Sequence, residues 1–383
     1  MGKERKSAIA IRAALALVGA FLLSVCGASG QGGQSGAQHL RVLWDRPVGS
    51  PARIAVTPDG GLTAVLGKNG LLTCYDSHGS VLWRNQTDGA NSIAVSRSGK
   101  TVLAYAALNP ARRVVTAFAG AGKVLGARNV PNCIWSAAVS DDGATAVVGT
   151  GKRRMLIYSV GTKRVRRRRC SLPGIPMSIA FTPGGKSIVV GMWQDSGVGL
   201  FTLTGKRAWS AKGEVDLQYT AEVSQDGCYI LETASPNRPA PRNTLTLRKY
   251  NGEILWRKRL DKDDMRAAPA PGGGIVGVSY RRRIVSRGKT MSERRLALFD
   301  KNGALLWEKG GLFFKPELVT FLAGNCVLVS SGNKTLYLLD SRGKIISTFK
   351  APALIRSYEA TPAANGVLIY CGDGRIYMVS ASS

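Results

Sequence analysis

Glycine returns along this chain at near-constant intervals, and the turns it marks leave few folds open. Gly60, Gly99, Gly143, Gly185, Gly227, Gly273, Gly324 and Gly366 stand 39, 44, 42, 42, 46, 51 and 42 residues apart. A second series, Gly79, Gly122, Gly161, Gly205, Gly252, Gly303 and Gly343, falls between them. Tight hairpin turns that follow strand twist need positive φ, which glycine adopts without steric cost. The first unit shows the pattern. An apolar alternation Ile54-Ala55-Val56 turns at Pro58-Asp59-Gly60 into an apolar run at 62–66, and a break at Gly67-Lys68-Asn69-Gly70 leads to a third run at 71–75. Asp76-Ser77-His78-Gly79 then turns into Ser80-Val81-Leu82-Trp83. Each unit therefore reads as four short antiparallel strands, and such units at this period predict an all-β propeller rather than helical repeats.

There are eight first turns but seven later ones. The last unit, 358–383, supplies three strands and stops, whereas Leu40-Arg41-Val42-Leu43-Trp44-Asp45 matches the outer strand of the first unit. An open ring would leave unpaired backbone groups on its edge, so the two ends are expected to complete one blade. This predicts eight four-stranded antiparallel blades over 40–383, the last completed by the N-terminal strand. Trp44, Trp83, Trp209, Trp256 and Trp307 share one outer-strand position; the second and third blades hold Gly126 and Arg166 there, and the seventh Ser347.

Residues 1–30 stand outside the repeats. Lys3, Arg5, Lys6 and Arg12 precede an apolar run at 13–23, and Gly27-Ala28-Ser29-Gly30 follows, which reads as a signal peptide, with a retained membrane anchor as the alternative. Leu23-Ser24-Val25-Cys26 resembles a lipoprotein box, apart from Val25 where a small residue is usual, which would place a lipid on Cys26. Residues 31–39, rich in Gly and Ser, read as a flexible linker. The remaining cysteines, Cys74, Cys133, Cys170, Cys228, Cys326 and Cys371, fall at unlike positions in different blades and are read as mostly buried free thiols.

The chain carries a net charge of +29, which favours anionic partners. In a propeller, the loop between the second and third strands of a blade shares a face with the links between blades. Basic residues gather in those loops: Arg112, Arg113, Arg153, Arg154, Arg281, Arg282 and Arg283, with the longest insertions at 233–243 and 280–294. That face is the expected binding face. Lys123, Lys163, Lys206, Lys301 and Lys344 populate the opposite turns, so part of the excess is general. Arg166 to Arg169 would lie on an outer strand, where charge discourages edge pairing.

Enzymatic patterns are sparse. The chain has two histidines, His39 and His78, too few for a histidine-rich metal site. Gly99-Lys100-Thr101, Gly185-Lys186-Ser187 and Gly288-Lys289-Thr290 lack the earlier glycine of a phosphate-binding loop, and none opens a helix. Asp261, Asp263 and Asp264 do not have calcium-loop spacing and read as a solvated turn.

The units Tyr75-Asp76-Ser77-His78-Gly79-Ser80-Val81-Leu82-Trp83 and Phe299-Asp300-Lys301-Asn302-Gly303-Ala304-Leu305-Leu306-Trp307 resemble those of the quinoprotein-like (PQQ-like) eight-bladed propellers, and the Pro-Asp-Gly turns resemble WD40-like repeats. The resemblance covers 40–383. It implies a ring whose tryptophans dock neighbouring blades. Quinone-using members hold PQQ near the axis with a carboxylate-ligated calcium, commonly beneath a disulfide of adjacent cysteines. This chain has no adjacent cysteines, and Glu222 and Glu359 are the notable acids near the axial strands. Non-catalytic members serve as docking platforms.

The expectation is therefore an exported or envelope-anchored, monomeric, non-enzymatic scaffold without cofactor or metal. It would dock an anionic protein or envelope polymer rather than nucleic acid. A quinoprotein or sugar-processing enzyme and a sensor ectodomain are the alternatives. Any small ligand is expected at the channel mouth, where Arg53, Asn91, Trp135, Met177, Tyr219, Arg266 and Tyr358 stand just before the innermost strands. Its aromatic rings would stack and its arginines would pair with carboxylate or phosphate.

Overall fold

A computed structural model describes residues 39–382 apart from 88, 162–166, 195, 215, 237–242, 261–262, 287–288, 312–315 and 333. The described strands form six four-stranded antiparallel sheets and one eight-stranded sheet. The larger sheet is two four-stranded units, blades four and five in chain order, joined at the single pair Trp193 and Gln218. The result is an eight-bladed β-propeller.

Packing shows that the ring closes. Buried apolar residues fall into eight clusters, and each spans one junction between successive blades. Leu66 and Leu72 of blade one meet Val102 and Phe118 of blade two. At the seam, Leu336 and Leu338 of blade seven meet Val367 and Ile369 of blade eight. Ile54 and Val65 of blade one meet Leu368 and Met378 from the other side. Because both faces of a blade are covered, middle strands lose the apolar-polar alternation of a half-exposed sheet. The strand Ser187–Trp193 is buried over its first six residues.

Blade eight contains Ile355–Thr361, Gly366–Cys371 and Arg375–Ser382, and its outer strand is His39–Pro47, from the other end of the chain. The seam runs from His39 opposite Ser382 to Pro47 opposite Arg375. Arg375 Nε donates to Asp45 Oδ2 at 2.6 Å, and Leu40 N donates to Ser347 Oγ of blade seven at 2.9 Å. The N-terminal strand is thus paired within its blade and bonded to the previous one.

One rung of the ladder, followed from axis to perimeter, organises every blade. In blade one it runs Ala55, Ala64, Cys74, Trp83. The outer positions of this rung are Trp44, Trp83, Trp209, Trp256 and Trp307, and each indole lies against the turn glycine of the next blade. A Cβ placed on Gly122 would sit 2.6 Å from the Trp83 ring, so both space and the φ of +89° require glycine there. Trp83 Nε1 then donates to Gly120 O at 2.6 Å, as Trp44 does to Ser77 O at 2.8 Å and Trp307 to Ser341 O at 2.8 Å.

Four details differ from the sequence reading. In blade three the rung ends at Arg168, opposite Ile157; Arg166 lies outside the described residues. Cys170 fills the docking place instead, its Sγ 3.3 Å from Gly205 O. In blade eight the positive-φ turn residue is Asn365, and Gly366 opens the following strand. The 280–294 insertion is not a loop. It continues the strands Ile275–Ser286 and Lys289–Asp300 as one long hairpin. Finally, the outer strand begins at His39 rather than Leu40. The expected leader and Cys26 lie outside the described residues, as does most of the linker and of the 233–243 insertion tip.

Candidate functional site

At the axis, the rung that carries tryptophan outside carries alanine inside: Ala55, Ala94, Ala138, Ala180 and Ala268, with Thr320 in blade seven. Blades five and eight break the pattern with Glu222 and Glu359. Two residues earlier on the innermost strands, the same side of the pleat carries Arg53 and Arg266 among serine, threonine and leucine. These two axial layers therefore hold two acids and two bases.

The charges act on one another across the ring. Burial pushes the Glu222 carboxyl up to about 8, and the Glu359 carboxylate adds to the rise. Burial likewise pushes Glu359 up to about 8, against the pull of the Arg53 guanidinium. Tyr358 is raised by burial, then by Glu359 and Glu222, and opposed by Arg266. Both glutamates keep some contact with solvent although protein surrounds them, as side chains facing a narrow axis should. Desolvation disfavours the charged form of a carboxyl, and a second carboxylate nearby adds to the effect.

The seven channel-mouth residues fare differently. Except for Asn91, they lie inside strands rather than before them, because the inner strands continue past that point, through β-bulges in the blades other than that of Tyr219. Bulges between Pro51 and Arg53, Ile134 and Ser136, and Pro176 and Ser178 recur at this level, and Trp135 and Met177 are the extra residues of the last two. Asn91 is used by its own blade: its Nδ2 donates to Ala107 O at 2.9 Å, and its Oδ1 accepts Ala107 N at 2.7 Å. Trp135 packs tilted on Trp193, with ring centroids 6.1 Å apart. Tyr219 is buried, with its hydroxyl accepting Glu214 N at 2.8 Å. Tyr358 donates to Val319 O at 3.0 Å, tying blade eight to blade seven. The tyrosine hydroxyls are thus engaged by protein, and the charged groups of the axis are the carboxyl pair with Arg53 and Arg266.

Among the described residues, no three His, Cys, Asp or Glu side chains come together as a metal site. Two half-buried carboxyls beside arginine do not present the oxygen-rich shell that calcium takes, so the axis does not match a calcium-held PQQ. The six described cysteines form no disulfide.

The basic loops share one face with the blade-to-blade links, as expected. Arg113 Nη1 donates to Pro131 O at 2.9 Å. Arg153, at φ +53°, donates to Gln194 Oε1 at 3.0 Å and Pro173 O at 3.2 Å. These bonds to neutral acceptors fix the guanidinium groups without cancelling their charge. Arg112 packs over Gly89 in the link from blade one to blade two, and Arg154 is half-buried opposite Ser171. The exposed Arg356 lies on this face beside Gly372.

The blade-six hairpin stands out from this face. Beyond the pair Arg281 and Arg294 it has no further sheet partner, and five more residue pairs, including Arg282 with Glu293 and Arg283 with Ser292, carry it outward by about 17 Å. Its base is an ion-pair network absent from the sequence reading. Arg282 bonds Glu293 at 3.0 Å, Arg295 meets Glu293 and Glu308 at 3.1 Å, and Arg294 bonds Asp264 at 2.6 Å. Arg282 is therefore neutralised, whereas Arg281 is exposed. Asp264, read as a solvated turn residue, anchors the arm.

No protein family profile and no curated protein sequence matches the chain. Solved structures do. The C-terminal WD40 domain of Sif2 is 11% identical with a TM-score of 0.68, covering 91% of this chain and all of that one. The Dos1 propeller is 13% identical with a TM-score of 0.66, over 89% and 95% of the two chains. BamB from Moraxella catarrhalis is 14% identical with a TM-score of 0.63, over 89% and 97%. Likeness at this identity establishes the β-propeller fold alone.

Proposed function

We propose that the protein is a non-enzymatic docking scaffold whose partner is an anionic protein or envelope polymer, held on the face that carries the blade-six arm. The observation that carries this reading is the arm itself. A two-stranded extension without sheet neighbours contributes nothing to the ring's core, yet its base is fixed by four carboxylates: Glu293, Glu308, Asp264 and Glu317. An arm with an ion-paired base, presented on the face that also carries Arg281, Arg356, Arg113 and Arg153, suits recognition of negative charge. The leader-like residues 1–30 support an exported protein. The two axial glutamates support a second, narrower reading, in which a neutral carboxyl at the axis serves a small polar ligand.

Retention on immobilised heparin, used as a polyanion probe, tests the main reading. Arg281→Glu combined with Arg356→Glu should lower the salt needed for elution, whereas Lys123→Glu with Lys344→Glu, in the opposite turns, should lower it less. Equal shifts from the two pairs would show that the charge acts without a preferred face.

A further inference from the structure

The opposite rim combines features that the docking face does not use. Before the tryptophan position, the outer strand of every blade but the third contains a β-bulge, as between Cys74 and Tyr75 and between Leu298 and Phe299. The bulge breaks the alternation, so consecutive apolar residues can both face outward. Ile254, Leu305, Ile345, Val42, Val81 and Val124, each two residues before the rung, are 38 to 54% exposed, one in each of blades five, six, seven, eight, one and two, and Leu43, Leu82 and Leu306 are exposed beside them. Single exposed leucines are ordinary on protein surfaces, but six at one structural position in six successive blades form an arc. Blades three and four interrupt it with exposed Arg167, Arg168 and Arg207.

The turns at this rim carry lysines as well as the aspartates Asp76, Asp300 and Asp340. Lys123, Lys206, Lys301 and Lys344 are exposed beside the apolar residues. The turn aspartates are directed at backbone instead: Asp300 Oδ1 accepts Asn302 N at 2.9 Å and Ala304 N at 2.7 Å, and Asp340 Oδ1 accepts Lys344 N at 2.8 Å. Glu253 is paired with Lys249. Equivalent turns of equivalent blades lie at one level, which makes the rim a flat annulus. The chain enters the ring here, because His39 pairs with Ser382 at the turn end of blade eight. Residues 1–38, whose sequence holds the apolar run at 13–23, are joined to the ring at this rim through His39.

We infer that this rim is a docking surface for an anionic lipid bilayer, its exposed leucines entering the headgroup region and its turn lysines meeting lipid phosphates. A second copy of the ring is the poorer fit, since face-to-face pairing would bring the lysines of one ring against those of the other. The inference concerns the face opposite the arm, so the membrane would leave the arm pointing away and free for a partner.

The test uses the full chain with vesicles of phosphatidylcholine alone or mixed with phosphatidylglycerol, some carrying bromine on their acyl chains. No tryptophan precedes Trp44, so quenching of tryptophan emission reports the ring and not residues 1–38. The parent protein should be quenched by brominated anionic vesicles. Leu82→Ser, Leu305→Ser and Leu306→Ser combined should weaken the quenched fraction's lipid affinity by about tenfold or more, with an unchanged thermal midpoint. Lys301→Glu with Lys344→Glu, which leaves the apolar arc intact, should weaken binding to anionic vesicles alone. Equal quenching of parent and leucine variant would overturn the inference. So would equal affinity for neutral and anionic vesicles, or a lipid-free dimer that the leucine variant abolishes.

Discussion

Replacing Gly126 with tryptophan should close a gap between the second and third blades. Gly126 stands on the rung where five other blades place tryptophan, and the cleft it leaves, about 40 Å³, is lined by Gly126, Tyr158, Ser159 and Gly161. Nothing lies within 4 Å of a Cβ built on Gly161, whereas the corresponding Gly122 is pressed by Trp83. Gly126 has room for a side chain, since the nearest atom to a Cβ there is Arg128 Nη1 at 3.9 Å, but its φ of +158° puts backbone strain on any other residue. Ser159 O occupies the place of the carbonyls that accept indole N–H groups in other blades. A tryptophan half covered at this site buries roughly 100 Å², worth about 2.5 kcal/mol before ordering costs. Fixing the side chain costs about 1 kcal/mol and the strained backbone about 1 kcal/mol more, which leaves a net gain of roughly 0.5 kcal/mol, whereas Gly126→Ala carries the strain without the indole and should lose about 1 kcal/mol. The converse change, Trp83→Gly, opens a matching cleft and should cost about 3 kcal/mol or more. Urea unfolding followed by circular dichroism measures all of these. A midpoint for Gly126→Trp no higher than that of Gly126→Ala would refute the idea that blades dock through this rung.

The axial glutamates give a pH prediction. Each ionises near 8 in the folded ring against an ordinary value of 4.5, so their neutral forms favour folding below about 4.5, and that contribution is lost as pH rises through about 8. Glu222→Gln should therefore flatten the fall in thermal midpoint between those limits, and an unchanged slope would place the carboxyl in ordinary solvent. Blade five also buries the pair Arg248 and Glu232 at 2.7 Å. Glu232→Ala strands the guanidinium and should cost about 3 to 5 kcal/mol in urea unfolding, and Glu232→Met with Arg248→Met much less. Equal costs for the two variants would show that packing, not charge, governs the site.

The ring was legible in the sequence because its turns need positive φ and glycine answers that need at Gly60, Gly79 and most later positions. Closure was legible because Leu43-Trp44 repeats Leu82-Trp83. Where register mattered, sequence spacing failed. Bulges move Trp135 and Met177 into their strands, and in blade three the ladder selects Arg168, not Arg166. The arm was missed because its Arg and Ser content imitates a loop, although Ile284 and Val285 oppose Met291 and Thr290 in unbroken pairing. Glu222 and Glu359 could be noticed as rare axial acids. Their mutual influence could not, since they lie 137 positions apart in sequence and meet only when the ring closes.

Closure by the N-terminal strand sets the rim at which residues 1–38 join the ring. Amide hydrogen exchange of the full chain, resolved by peptide, tests it directly. The account predicts that amides of 39–47 exchange as slowly as those of the outer strands Val81–Gln86 and Leu305–Gly310, because they are paired to Arg375–Ser382. Complete exchange of 39–47 within seconds, with 375–382 exposed alongside, would contradict it.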